Sequence, residues 1–248
     1  MDYYQQMAER ISRCRYAVAL TGAGISVESG IPDFRSAGGL WSKYDPMEFA
    51  DIESFRANPG KVWKMLVELD ETLLRADPNP AHRALAELEM RGILRVLITQ
   101  NVDSLHQRAG STKVIEFHGN NRQLRCDSCG QRFPRESVSL VSLPPRCSCG
   151  SALRPDLVFF GEAIPGDAYR QAMAAAEKCD FLLVVGTSAS VAPASLIPRV
   201  AKQNGAFLLE INPEASELSQ HLTDFHIAES AGIALPGIVA ALGKMDYS

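Results

Sequence analysis

Residues 16–35 read YAVALTGAGISVESGIPDFR, and the fold follows from how this stretch is parsed. Residues 17–20 are four consecutive small or branched apolar side chains without polar alternation. That pattern suits a strand buried on both faces, as in a parallel sheet covered by helices. Gly22-x-Gly24 then opens the dinucleotide fingerprint G-x-G-x-x-G, but Val27 occupies the third glycine position. Pro32-Asp33-Phe34-Arg35 interrupts the place where a long helix would settle onto the sheet. The two glycines permit a tight turn and close approach of backbone N–H groups to a pyrophosphate. By itself, a G-x-G after a strand is equally an ordinary turn.

Further apolar runs lie at 96–98, 114–117, 157–160, 181–185 and 207–211, and helical patterns at 4–13, 81–91 and 166–178. The alternation predicts a doubly wound α/β core. Two segments break the rhythm. Residues 36–80 form a largely helical insertion rich in aromatics, and 122–154 hold four of the six cysteines. Both are expected to leave the core and to build a small second lobe together. The predicted division is a large domain of 1–35, 81–121 and 155–248, a helical insertion of 36–80 and a metal module of 122–154. Each core run stops in polar or glycine residues: Thr21-Gly22, Thr99-Gln100-Asn101, His118-Gly119, Gly161-Glu162, Gly186-Thr187-Ser188 and Asn212. Ligands of open parallel sheets bind outside the carboxyl ends of the strands, so these ends predict one shared cleft.

The 248 residues carry 25 basic and 29 acidic side chains, net -4, which argues against broad binding to a nucleic-acid backbone. No apolar run reaches membrane-spanning length, and the N-terminus lacks a signal-peptide pattern. A cytoplasmic address is the expectation, and the cysteines then read as metal ligands or buried thiols before disulfides. Cys126-x-x-Cys129 and Cys147-x-Cys149, each followed by glycine, are how two turns present four sulfurs to a tetrahedral, structural zinc. A redox C-x-x-C would not need the second pair. Cys14 and Cys179 read as small buried hydrophobes.

Thr99-Gln100-Asn101-Val102-Asp103 gathers amides and a carboxylate at one strand end, although Asp103 is also suited to cap a helix beginning at 104. His118, with Gly119 directly after it, stands where a base working near neutral pH is needed. His82, His106, His221 and His226 have no comparable context.

In order, GAGIS with GIPDFR, TQN-x-D-x-L-H-x-x-AG, the HG pair, the four cysteines, RP-x-x-V-x-FGE and GTS resemble the motif set of the sirtuins, from about residue 16 to the C-terminus. The chain is similar to prokaryotic-type, single-domain members. The resemblance implies a Rossmann-like parallel sheet with helices on both faces, plus a small lobe of zinc module and helical insertion. It also implies an NAD-dependent protein-lysine deacylase, with NAD consumed as co-substrate and one structural zinc. The acyl group would pass to ADP-ribose as nicotinamide leaves.

By that resemblance, Asn101 and Asp103 with Ile31 and Asp33 would hold nicotinamide, and His118 would be the general base toward a ribose hydroxyl. Gly22, Ala23 and Arg35 would face phosphates and ribose, with Phe34 over the reacting centre. Gly186, Thr187 and Ser188 would hold phosphate and ribose, and Asn212 the adenosine ribose. Gly24, Gln100, Val102 and Ala231 complete the implied NAD contacts. An acylated peptide would lie extended between Gly161-Glu162 and the loop around Val191, with Val158 and Phe160 lining the acyl-lysine tunnel. No nucleic acid, no membrane and a monomeric state are expected.

The second cysteine pair is C-x-C, where many relatives have C-x-x-C. Members that favour succinyl-lysine carry Tyr-x-x-Arg after a Val-Trp, whereas Val62-Trp63 is followed here by Leu66 and Leu69. Acetyl or longer apolar acyl groups are therefore expected over succinyl. Three other readings share some of these residues. Mono-ADP-ribosyl transfer would use the same cleft. A lapsed NAD-sensing module would not need Asn101, Asp103 and His118. A dehydrogenase would need the third glycine.

Overall fold

The computed structural model describes residues 2–33 and 40–245. Helix α1 (Tyr3–Ser12) leads into β1 (Ala17–Thr21), followed by a single short 3-10 segment, Ala23–Ser29. Four helices come next: α2 (Leu40–Lys43), α3 (Pro46–Phe49), α4 (Ile52–Ala57) and α5 (Pro59–Arg75). The chain continues through α6 (Pro80–Met90), β2 (Leu94–Thr99), α7 (Leu105–Arg108) and β3 (Val114–Glu116). Strands β4 (Gly119–Cys126), β5 (Arg132–Pro134) and β6 (Leu153–Leu157) follow. The last part is α8 (Gly166–Lys178), β7 (Phe181–Val185), α9 (Leu196–Gln203), β8 (Phe207–Ile211), α10 (Glu217–His221), β9 (Phe225–Ile227) and α11 (Ala231–Met245).

Helix starts are written in the sequence. Asp45, Asn58 and Asn79 each precede a proline at the first helical position, and each side chain accepts a first-turn N–H. Such a cap stabilises a helix start by about 1 kcal/mol.

Six strands pair in parallel in the order β3-β2-β1-β7-β8-β9. β1 is buried throughout because alternate residues serve different faces. Ala17 and Ala19 join the cluster with α1, α6 and α11, while Val18 and Leu20 join that with α8 and α9. Helices thus cover both faces, as the unalternating pattern predicts. The order runs outward in opposite directions from the β1–β7 pair, the switch point beside which ligands of open α/β sheets bind.

The second lobe is a three-stranded antiparallel sheet, β5-β4-β6, packed on α4 and α5. Its core includes Trp63, Leu66, Leu124, Cys126 and Leu153, and the indole N–H of Trp63 donates to the Leu153 carbonyl at 2.7 Å. Helical insertion and cysteine module therefore share one core.

Two strand expectations are corrected. The run 157–160 is not a strand of the parallel sheet: β6 ends at Leu157, and Phe160 makes an isolated parallel bridge with Asp51. Pro155 gives the physical reason, since proline lacks a ladder donor and suits an edge strand such as β6. The sixth strand of the main sheet is instead β9, whose three residues carry His226 at their centre. The segment 122–154 also contributes most of a sheet of its own, with β4 and β6 running across its two boundaries. Among the described residues, no helix is long and apolar enough to cross a membrane.

Candidate active site

Glycines join the ends of β1 and β7. Gly22 N–H donates to the Val185 carbonyl at 3.1 Å, and Gly24 N–H to that of Gly186 at 2.8 Å. A Cβ on Gly24 would stand 2.8 Å from Gly186 Cα, and one on Gly186 2.3 Å from Ile25 N. Gly186 also has φ of +59°, so no larger residue fits there. The glycines that read as a phosphate turn therefore also let the β1 and β7 loops pack backbone to backbone. Because only a 3-10 segment follows, no third glycine is needed, and Val27 is exposed.

Between these loops and the end of β2 lies a buried polar cluster. The Asn101 amide donates to the Gly22 carbonyl and to Ser26 Oγ, each at 3.1 Å. Ser26 Oγ in turn donates to Asp103 Oδ2 at 2.7 Å, and Asp103 Oδ1 accepts the Leu105 N–H at 2.9 Å. Asp103 thus ties the start of α7, whose N-cap is Ser104, to this cluster. Burial raises its pKa above the ordinary value, opposed by the bonds from Leu105, Ser26 and Asn101. Gln100 joins the β7 loop, its amide donating to Thr187 Oγ1 at 3.0 Å.

His118 leaves β3 toward the same cluster. Its Nδ1 lies 3.0 Å from the Gln100 carbonyl. A carbonyl only accepts, so Nδ1 carries the proton and Nε2 of the neutral ring keeps a lone pair. Burial pushes the imidazole pKa below its ordinary value, and the Gln100 carbonyl opposes this. At neutral pH the group is a base. Its carbonyl accepts the Val158 N–H at 2.9 Å, which ties it to the strand end after β6. Gly119 beside it has φ of +73°, and a Cβ there would meet the Asp156 carbonyl at 2.2 Å.

The other expected residues fall on several elements. Ile31 is buried with Leu73 and Leu105, with Leu69 and Val102 packed alongside. Ala23 begins the 3-10 segment, and Asp33 is half-buried. Ser188 pairs with Ser190, and Val191 accepts the Ser195 N–H through its carbonyl. Asn212 follows β8, its carbonyl receiving a hydrogen bond from His226 Nε2 at 2.8 Å. Ala231 opens α11, where Gly232 lies against Glu28 of the 3-10 segment. Phe34 and Arg35 lie outside the described residues.

Residues beside the expected peptide position already have partners within the fold. Phe160 pairs through both backbone groups with Ala50 and Ile52. The Glu162 carboxylate is engaged within the fold: it receives Arg154 at 2.5 and 2.7 Å and the Phe159 N–H at 2.9 Å. A narrow cavity between α5 and the second sheet is lined by Leu66, Leu69, Leu73 and Leu157, together with Asp70 and Arg135.

Sequence reasoning misses Ser26 and His106. Ser26 is fully buried between the two functional side chains, and its only signal is its place in GAGIS. His106 is buried under the cluster with Nε2 2.9 Å from Thr21 Oγ1, which bonds Thr99 Oγ1. Burial holds it neutral, with His82 adding to the effect.

In the second lobe, the sulfurs of Cys126, Cys129, Cys147 and Cys149 lie within 4.8 Å of one another. The pairs Cys126–Cys149 and Cys129–Cys147 are 3.5 Å apart, close to the edge of a tetrahedron with zinc–sulfur bonds of about 2.3 Å. Gly130 and Gly150, both at positive φ, return N–H bonds of 2.9 Å to the Cys126 and Cys147 carbonyls. The donor set fits a closed structural zinc, and the spacing C-x-C is no obstacle to it.

The Sir2 family model matches residues 22–193. The chain is 45% identical over 241 residues to NAD-dependent protein deacylase 1 of Archaeoglobus fulgidus, covering 97% of this chain and 98% of that one. It superposes on a Sir2 homologue–NAD complex with a TM-score of 0.92 at 45% identity, covering 97% and 94% of the two chains. A Sir2 complex with deacetylated p53 peptide and 3'-O-acetyl ADP ribose superposes at 0.89 with 35% identity, covering 95% and 97%. The chain belongs to the Sir2 family.

Proposed function

We propose that this protein is an NAD-dependent protein-lysine deacylase that passes the acyl group to ADP-ribose and releases nicotinamide. The observation that carries the reading is His118: a neutral imidazole with Nδ1 fixed by the Gln100 carbonyl, beside the Asn101–Ser26–Asp103 cluster. NAD, when bound, supplies the electrophilic ribose carbon and the departing nicotinamide. Asn101 and Asp103, with Ile31 and Asp33, hold the nicotinamide end, and the carboxylate offsets positive charge developing on the ribose. His118 Nε2 takes a proton from a ribose hydroxyl. Gly22, Ala23, Gly186, Thr187 and Ser188 hold phosphate and ribose, and Asn212 the adenosine ribose. An extended peptide approaches Gly161 by its main chain, which makes sequence selectivity low.

We read the narrow cavity as the acyl site, because its walls join the catalytic centre. Leu157 pairs with Gly119, Asn121 donates its N–H to the Val102 carbonyl, and Leu69 packs with Ile31. Its leucines favour acetyl or longer apolar acyl groups over succinyl.

The test is an acyl-peptide with NAD, followed by mass spectrometry. Nicotinamide and acyl-ADP-ribose should appear in equal amounts, and His118→Ala should lower the rate about 10²–10⁴-fold. A protein carrying ADP-ribose, with the peptide still acylated, would assign the chain to ADP-ribosyl transfer instead.

A further inference from the structure

The cavity is not wholly apolar. Along α5, Leu66, Leu69, Asp70 and Leu73 fall at i, i+3, i+4 and i+7, one stripe in which three leucines accompany an aspartate. Facing it is Arg135 from the second lobe, and both ionic side chains line the cavity. Arg135 Nη2 lies 2.6 Å from Asp70 Oδ2, and Nε 3.1 Å from Oδ1, a bidentate pair whose side chains are 19% and 11% exposed. Nη1 donates to the Val138 carbonyl at 3.1 Å.

We infer that the Asp70–Arg135 pair is a specificity determinant that makes the acyl site refuse acidic acyl groups. This rests on reading the cavity as the acyl site. The leucines alone do not account for the refusal, because a guanidinium stands in the same cavity and a fork of N–H donors is the natural partner of a terminal carboxylate. Arginine cannot shed its proton on burial, so its charge must be answered inside the fold. Asp70 answers it with both oxygens. A succinyl or glutaryl terminus would have to displace that carboxylate or lie beside it, a like charge in a poorly hydrated space. Acetyl and butyryl groups meet neither obstacle.

Removing Asp70 reverses the argument. Arg135 would remain charged, part-buried and without its counter-ion, and the carboxylate of the substrate would be the anion able to restore the pair. Acidic acyl groups should then gain what the side chain lost.

The experiment measures kcat/KM for acetyl-, butyryl-, succinyl- and glutaryl-lysine peptides with NAD. It compares wild type, Asp70→Ala, the near-isosteric Asp70→Asn, Asp70→Ala with Arg135→Met, and Leu69→Trp. The succinyl-to-acetyl ratio should rise about tenfold or more in Asp70→Ala or Asp70→Asn and fall back in the double variant. An unchanged ratio in an Asp70 variant that keeps its zinc and a cooperative melt overturns the inference. So does a gain that persists without Arg135. Asp70→Asn carries the test where Asp70→Ala fails to fold. Leu69→Trp separates the two layers: it should cut butyryl relative to acetyl turnover. If it leaves that ratio unmoved, the cavity is not the acyl site; if it moves the ratio while Asp70 variants do not, only the ion-pair inference falls.

Discussion

His118 owes its usable lone pair to a carbonyl oxygen. The Gln100 carbonyl fixes the tautomer, and burial keeps the ring neutral by lowering its pKa from the ordinary 6.5. In the proposed reaction the neutral form is the active one, so protonation at low pH removes the base. Deacylation should therefore fall as pH drops through a value below 6.5, and should be level through neutrality as far as this group decides it. A pH profile of kcat/KM checks this, and in His118→Gln the residual rate should lose that acid limb. An unchanged limb in the variant would move the titration to Asp103, whose carboxyl burial raises. Residue-level reading of the sequence singled out His118, Asn101 and Asp103 because each stands at a strand end with chemistry to offer. It missed Ser26 and His106, which act between or beneath those residues, and partnership of that kind is set by folding distance and leaves no local pattern.

At the scale of elements, the legible parts were those with a local physical cause. Runs buried on both faces made β1, β7 and β8 plain, and proline after a capping Asp or Asn marks three helix starts. The apolar run 157–160 misled, because Phe159 is buried in the second lobe's core and Val158 serves the link to His118. β9 was invisible, being three residues at a sheet edge where pairing with β8 supplies the order that composition does not. The cysteine turns were legible through their glycines, and they carry a prediction. Cys126 and Cys147 are part of the core shared with α4 and α5, so the metal should hold that core as well as its own turns. Chelation, or Cys126→Ser, should lower the melting temperature and abolish turnover, with zinc restoring the chelated protein. Metal analysis on the active protein should find one zinc per chain. Full activity without metal would refute a structural zinc.

Across the whole molecule, one ionic network joins the cysteine turns to the strand end where the peptide should lie. Arg154 is fully buried; it reaches Asp127, next to Cys126, at 3.4 Å and holds Glu162 with two bonds. Arg125 bridges the same two acidic residues, Asp127 and Glu162, and also Asp156, from β4. Burial by itself would raise the Glu162 carboxyl, but Arg154 and the Phe159 N–H hold it below its usual range. Glu162 accordingly fixes the turn at Gly161, and in the proposed reading the peptide meets the main chain there. Arg154→Met would leave a buried carboxylate short of its two strongest donors, and loss of one partner of such a pair costs about 3–5 kcal/mol. The disturbance falls on the 157–162 segment, while the Gly22, Gly186 and Asn101 contacts lie on other elements. The expected result is a peptide KM raised at least about tenfold with the KM for NAD within about twofold of wild type. Arg154→Lys, which keeps the charge but not the fork, should fall between the two. Equal increases in both KM values would mean that Arg154 supports the fold at large and not the peptide strand.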